Sequence, residues 1–369
     1  MSGGGGFKEC CPIRSLYKHM QAMLCVGRHG ELEQFPMMPP QLFLLFLMSV
    51  CASAALPPAL LQKDAEWFRS DDGRRATANV LSWQSVPGAW PKNQDNSREP
   101  HHGDPAGIIG TFDNKATTDE MRFLAGAFEA TGDKACAEGF QRGLDHILAA
   151  QYPNGGFPQL HPPGKQYHRH ITFNDGTMIR LLRLLRSVAD DEWRGLVEPE
   201  GRDAARRALD RGVHCILGCQ IPVGVKRTVW CAQHDEVTLA PAAARAYELP
   251  SQSGSESAGV LSFLMSIEHP SPEVKEAVKA GVAWFEQAKI NGVKVEKVEG
   301  DTRLTLDPAA PGIWARFYDI ETGRPFFCDR DGVKKAQLAE IGAERRNGYA
   351  WYGSWGEAVL SEYARWPHR

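Results

Sequence analysis

A glutamine followed by a Pro- or Gly-bearing turn returns along this chain at Gln84, Gln151, Gln220 and, more weakly, Gln287, a period of about 68 residues. The stretch ahead of each turn carries its own mark. Arg142-Gly143-Leu144-Asp145-His146-Ile147-Leu148 matches Arg211-Gly212-Val213-His214-Cys215-Ile216-Leu217, and Gly281-Val282-Ala283-Trp284-Phe285 follows the same spacing. A fixed period means that one unit is used several times, each burying a face it cannot bury alone.

Each unit reads as a helical hairpin. Met121 to Phe128 has apolar residues at helical spacing until Thr131-Gly132-Asp133 breaks it, and Ala135 to Ala150 is a second helix ending before Pro153. Met178–Val188 pairs with a helix from about Arg202 to Leu217, and Val260–Ile267 with Glu273–Ala288, split by Pro270 and Pro272. A last helix is expected at Gly356–Trp366, and short strands at Val293–Val298 and Arg303–Leu306. The expected fold is mainly α: an incomplete α/α toroid of about three helical hairpins, with long loops and a few short strands. It forms one domain over residues 56–369.

Residues 1–55 read as an N-terminal extension. Gln41 to Ala55 is an apolar run of signal-peptide length ending in small residues, with an Ala-x-Ala site at Ala52–Ala54. It is too short for a membrane span. Met37 or Met38 is a better start than Met1 for such a signal. The expected location is secreted or periplasmic, with no membrane contact after signal removal. The mature chain keeps Cys136, Cys215, Cys219, Cys231 and Cys328, an odd set whose spacing matches no common metal pattern. Cys215 and Cys219, four apart on a helix, read as small core residues. A formal net charge of -3 argues against nucleic acid as a partner. The basic C-terminal third is offset by acids, so it suits discrete Arg contacts to carboxylates rather than a broad positive field. Nothing marks an obligate oligomer, and a monomer is expected.

Two loops carry the chemistry. Phe112-Asp113-Asn114-Lys115-Ala116-Thr117-Thr118-Asp119-Glu120-Met121 and Phe173-Asn174-Asp175-Gly176-Thr177-Met178 are near-copies, which puts Asp113 and Asp175 in neighbouring units. Each sets an aromatic beside an Asp/Asn pair at a helix start. Converging carboxylates and amide oxygens can hold a hard divalent cation. A plainer reading makes Thr117 to Glu120 a capping box and Asp175 an N-cap. The recurrence of the pair favours the cation. The turns Gly88-Ala89-Trp90-Pro91-Lys92-Asn93 and Gly155-Gly156-Phe157-Pro158-Gln159-Leu160 occupy equivalent places. Their aromatics suit either stacking on sugar rings or packing on the rim. Arg245 stands among small residues, so it pairs with a structural acid (Glu248, Glu256 or Asp235) or points at an anionic ligand.

Taken together, these stretches resemble the pectate lyases of polysaccharide lyase family ten. The resemblance rests on Trp90-Pro91-Lys92-Asn93, Asp113 to Thr117, Gln151 to Gln159, Ile171 to Asp175, Arg245-Ala246-Tyr247-Glu248 and Arg324 to Arg330, and covers about Trp83 to Trp355. It departs at Pro87-Gly88-Ala89-Trp90, where two glycines are expected before Trp. It departs again at Pro222-Val223-Gly224-Val225, which lacks the aromatic-Pro. The resemblance implies calcium-dependent anti-β-elimination on polygalacturonate, giving 4,5-unsaturated oligogalacturonides. It also implies Asp113 and Asp175 as Ca2+ ligands and Arg245 as the Brønsted base. Arg316 and Arg330 would then be carboxylate clamps, with Lys92 and Asn174 as further substrate contacts. Two other classes stay open at this point. An inverting glycoside hydrolase on the same toroid would use Asp113 and Asp175 as its catalytic pair without metal. An inactive oligogalacturonide-binding protein would keep the loops and yield no product.

Overall fold

The structure is a computed structural model that describes residues 56–369. The expected signal peptide lies outside the described residues. Ten α-helices occur among the described residues: α1 Ala65–Arg69, α2 Asp71–Ser82, α3 Thr118–Thr131, α4 Lys134–Ala150, α5 Thr177–Ala189, α6 Pro199–Cys219, α7 Gly254–Met265, α8 Pro272–Gln287, α9 Ala343–Gly348 and α10 Trp355–Arg365. The three expected hairpins are α3/α4, α5/α6 and α7/α8. Helix α5 also packs on α3 and α7, so the first helices of the three hairpins stand side by side. Helices α1 and α2 pack on α3, and α10 on α7 and α8. The fold is an incomplete α/α toroid, mainly helical.

The hairpin turns follow local chemistry. Gly132 ends α3 in the left-handed region at φ 69°, and Asp133 caps α4 by accepting from the Ala135 amide. Ser271 caps α8, with Pro272 opening it. The two expected strands pair as one antiparallel ribbon, Val293–Val298 against Asp301–Leu306. The remaining strands among the described residues are two-residue pairs in the loops, such as Ile171–Thr172 with Gln233–His234.

The repeating glutamine proves to be a clamp between units. Gln84 donates from Nε2 to the Gly88 and Gly139 carbonyls, and its Oε1 accepts from Arg142. Gln151 repeats this with Gly155, Ala208 and Arg211. Gln220 does so with Thr228 and Ala277. In each case one bond stays in the turn and the other reaches the second helix of the next hairpin. The glycines have the same origin. A Cβ on Gly143, Gly212 or Gly281 would lie 2.8, 2.3 or 2.7 Å from Met121, Leu182 or Leu261, so the paired helices approach more closely than Ala allows. Gly155, at φ 91°, would place a Cβ 2.0 Å from the Arg211 carbonyl oxygen.

The aromatics of the Pro turns are core. Trp90 and Phe157 are 0% exposed, and the Trp90 indole donates to the Val80 carbonyl. The stacking reading is therefore replaced by the packing one. The third repeat does not lack its aromatic. A hairpin at Pro222–Val223 and Lys226–Arg227 is inserted, and Trp230 fills the slot, donating to Ile216 O as Trp90 does to Val80 O. All five cysteines among the described residues are buried and free; Cys215 and Cys219 are core residues with sulfurs 4.0 Å apart.

Candidate active site

The two repeated loops meet at the N-terminal end of α3 and α5. Phe112 and Phe173 have matching backbone angles, and each leads into a single 3-10 turn, Asp113–Lys115 or Asn174–Gly176. Superposed by backbone, Asp113 corresponds to Asn174, and Asn114 to Asp175. The first member of each pair is buried. The second is left-handed, at φ 51° for Asn114 and 52° for Asp175, a region that Asn and Asp tolerate best after Gly. The acid and the amide have thus exchanged places between the turns. One carboxylate lies deep and the other stands at the rim.

The expected caps do not form. Thr117 has φ 69° and makes no side-chain cap; its hydroxyl donates to Thr111 O and accepts from the Trp90 amide. Glu120 does not reach back to the helix start. It is fully buried, accepts from Asn96 Nδ2 at 2.8 Å, and burial pushes its carboxyl up to about 8. Asp175 caps nothing; Gly176 is the N-cap of α5. Both side chains are otherwise engaged, Glu120 by Asn96 and Asp175 by Asn174.

Around Asp113 and Asp175 the charges form one connected set. Lys92 sets its ammonium on Asp113 Oδ2, while Asp113 Oδ1 is buried with no hydrogen-bond partner among the described residues. Asn174 Nδ2 donates to Asp175 Oδ2 at 2.7 Å. Arg316 lies 4.0 Å from Asp175 Oδ1 and 3.5 Å from Asn174 Oδ1, and is held tightly by Glu256, which also accepts from Ser253. Burial raises the Asp175 carboxyl above its usual range; Glu256 and Asp113 add to this, and Arg316 and Arg245 oppose it. Burial alone would lower Arg316, but Glu256, Tyr349 and Asp175 outweigh it and the net shift is upward. A buried carboxylate oxygen without a partner, beside other hard oxygens, is a donor set that fits calcium.

Arg245 lies within electrostatic reach of Asp175. Its Nε and Nη2 donate to Glu248 at 2.8 and 2.5 Å, and its guanidinium lies 5.2 Å from the Tyr247 ring. The Glu248 bonds raise its pKa, against the effect of burial. So the sequence alternatives for Arg245 resolve to Glu248 as its structural acid. It also lines a groove of about 590 Å³ with Tyr167, His170 and Asp235. Arg330 stands further out, paired with Glu344 and 5.9 Å from the Tyr247 ring. Lys92, Asn174, Arg316 and the two acids are brought together directly; Arg245 and Arg330 join through Tyr247 and Tyr349. The sequence reading missed Tyr349 and Arg345. Tyr349 donates to Glu248 at 2.9 Å and lies under Arg316 at 4.8 Å, and Arg345 covers Tyr247 at 4.6 Å. The interleaving of aromatics with arginines in the C-terminal third was the available signal. A separate group, His170, Asp235 and Glu236, has ligand atoms within 4.8 Å. Glu236 is already taken by Arg169 and His170, and Asp235 by its own turn, so it makes a poor cation site.

The pectic acid lyase family profile matches residues 84–360. A search of curated proteins finds no significant match. Among solved structures, a family 10 polysaccharide lyase from Cellvibrio cellulosa is similar at 33% identity and TM-score 0.75, covering 86% of this chain and 100% of that one. An Asp-to-Ala mutant of a family 10 lyase from the same organism, in complex with trigalacturonic acid, is similar at 34% identity and TM-score 0.75, covering 82% and 96%. With a profile spanning most of its length and structural relatives at 33% and 34% identity, this chain belongs to the pectic acid lyase family, the family 10 polysaccharide lyases.

Proposed function

We propose that this lyase cleaves polygalacturonate by calcium-dependent anti-β-elimination, with Arg245 as the base, and that it works as an exported monomer. The observation that carries the reading is the convergence of Asp113 and Asp175, from two repeats, with Arg245 near enough to bias the Asp175 carboxyl. The trigalacturonic acid held by the related mutant supports a polyuronate as the ligand.

Asp113, Asp175 and Asn174 would hold the cation; when bound, it neutralises the uronate carboxylate and makes the neighbouring C5 proton more acidic. The chain's own groups do the rest. Arg316, fixed by Glu256 and backed by the Tyr349 ring, presents a rigid fork to a uronate carboxylate. Arg330, exposed and paired only with Glu344 among the described residues, can exchange that partner for another carboxylate further along the strand. Lys92 already neutralises Asp113 and orients it. Arg245 takes the C5 proton, the electron pair forms the C4–C5 double bond, and the C4–O bond breaks, the leaving oxygen taking a proton from water. Arg is ordinarily charged at any working pH, and Glu248 holds it so more firmly, so the neutral form must be favoured by the cations gathered in the cleft.

The test is incubation with polygalacturonate with and without a chelator. Elimination gives an unsaturated uronate that absorbs in the ultraviolet, and chelation stops it. Saturated products would show hydrolysis instead, and chelator-insensitive elimination would remove calcium. Arg245→Ala should abolish turnover and leave calcium-dependent oligogalacturonide binding intact.

A further inference from the structure

We infer that Glu248 is a positioning residue for Arg245: it sets which guanidinium nitrogen faces the cleft, and the pH at which turnover rises. This rests on the reading of Arg245 as base.

The contact is built by a tight turn. The Glu248 amide donates to Arg245 O at 2.8 Å, and the Ala244 amide donates to Glu248 O at 3.0 Å. This turn folds the acid back on the base. Glu248 Oε2 accepts from Arg245 N at 3.2 Å and Nε at 2.8 Å, and Oε1 from Nη2 at 2.5 Å. Tyr349 supplies a further donor from a distant segment, at 2.9 Å. Glu248 is 5% exposed, whereas the Arg245 side chain is 44% exposed. A buried carboxylate holds one edge of a half-exposed guanidinium. Nη1 makes no hydrogen bond among the described residues, and Arg245 borders the groove with His170 and Asp235.

The grip has two effects of opposite sign. Nε and Nη2 keep their protons because Glu248 accepts from both. The proton lost to water as pH rises therefore leaves Nη1, and the lone pair appears there. That lone pair takes the C5 proton, the C5–H electron pair forms the C4–C5 double bond, and the glycosidic oxygen leaves C4 with its bonding pair and takes a proton from water. The same negative charge also holds Arg245 in its charged form and delays this event to higher pH. The other groups facing Arg245 are the Tyr247 and Tyr349 rings and, across the groove it lines, Arg169, His170 and Asp235, with Asp175 in electrostatic reach; Arg330 and Arg345 also lie over Tyr247. Of these, Glu248 alone bonds the guanidinium.

The test compares pH–rate profiles of the calcium-loaded full chain with those of Glu248→Gln, which keeps an acceptor and removes the charge. The rising limb should move to lower pH by about one unit, so that on the limb the variant turns over up to about tenfold faster than wild type. Calorimetric oligogalacturonide binding should be unchanged. A folded variant with an unmoved limb overturns the inference. Where Glu248→Gln fails to fold, Tyr349→Phe carries the test. Loss of the competing donor tightens Glu248 on Arg245, so the limb should move to higher pH, and an unmoved limb again refutes it. Arg245→Ala is assayed in parallel. If it turns over, the base reading itself fails; if it is inactive and the Glu248→Gln limb stays put, only the positioning role falls.

Discussion

The glutamine clamp allows a test with an internal control. Gln84→Ala removes two amide donations, to Gly88 O at 2.9 Å and Gly139 O at 2.8 Å, and the acceptor for Arg142. Each of the first two contributes about 1 kcal/mol net. The Arg142 bond is charge-assisted but partly solvated, and is counted at about 1 kcal/mol. The total is about 3 kcal/mol, which for a domain of this size lowers Tm by about 5 °C. Gln287 sits at the fourth repeat position, yet it is exposed and makes no side-chain hydrogen bond among the described residues. Gln287→Ala should stay within about 0.5 kcal/mol of wild type. Urea and thermal unfolding followed by circular dichroism compare the two directly. Equal effects, or a larger loss at Gln287, would refute the view that the glutamines join successive hairpins.

Glu120 should make stability fall with rising pH. Its folded carboxyl titrates at about 8 against an ordinary value of 4.5, so its contribution is fully present below pH 4.5 and is lost as pH rises through 8. Glu120→Gln should flatten the urea midpoint over that range; an unchanged slope would assign it elsewhere. Gly212→Ala should destabilise by about 1–3 kcal/mol, because its Cβ would meet Leu182 at 2.3 Å. Gly259→Ala, with nothing within 4 Å in the middle of α7, should stabilise by roughly 0.5–1 kcal/mol. Trp90→Leu should lower Tm and leave KM for polygalacturonate unchanged, since the ring is wholly interior; a raised KM would restore the sugar-stacking role.

Much of the fold could be read in advance because its signals are local and repeated. The hairpin at Thr131-Gly132-Asp133 needs only a left-handed glycine and a capping Asp, both in place. The recurring Arg142-Gly143 and Arg211-Gly212 marked the repeat; that their glycines lie where the paired helices approach closely is visible only in the structure. What escaped depended on which way a side chain turns. Thr117 and Glu120 have the spacing of a capping box, but Asn96 and Trp90, from the preceding turn and the loop after it, claim them instead. Trp230 was hidden because an inserted hairpin pushes it beyond the expected offset. In the site, Asp113, Asp175 and Arg245 were found as carriers of charge. Tyr349 and Arg345, which bond Glu248 and cover Tyr247 beside Arg245, come from far along the chain, near its C-terminal end, and no spacing rule connects them.

The exchange of acid and amide between the two turns gives the cleft a direction. A galacturonate strand has a reducing and a non-reducing end, and two identical half-sites would accept it head-first or tail-first equally well. With one carboxylate sunk at Asp113 and the other raised at Asp175, the two-fold likeness of the duplicated turns is broken where their acids face each other. If Arg245 is the base as proposed, only one orientation of the sugar chain would then bring a given C5 face toward it.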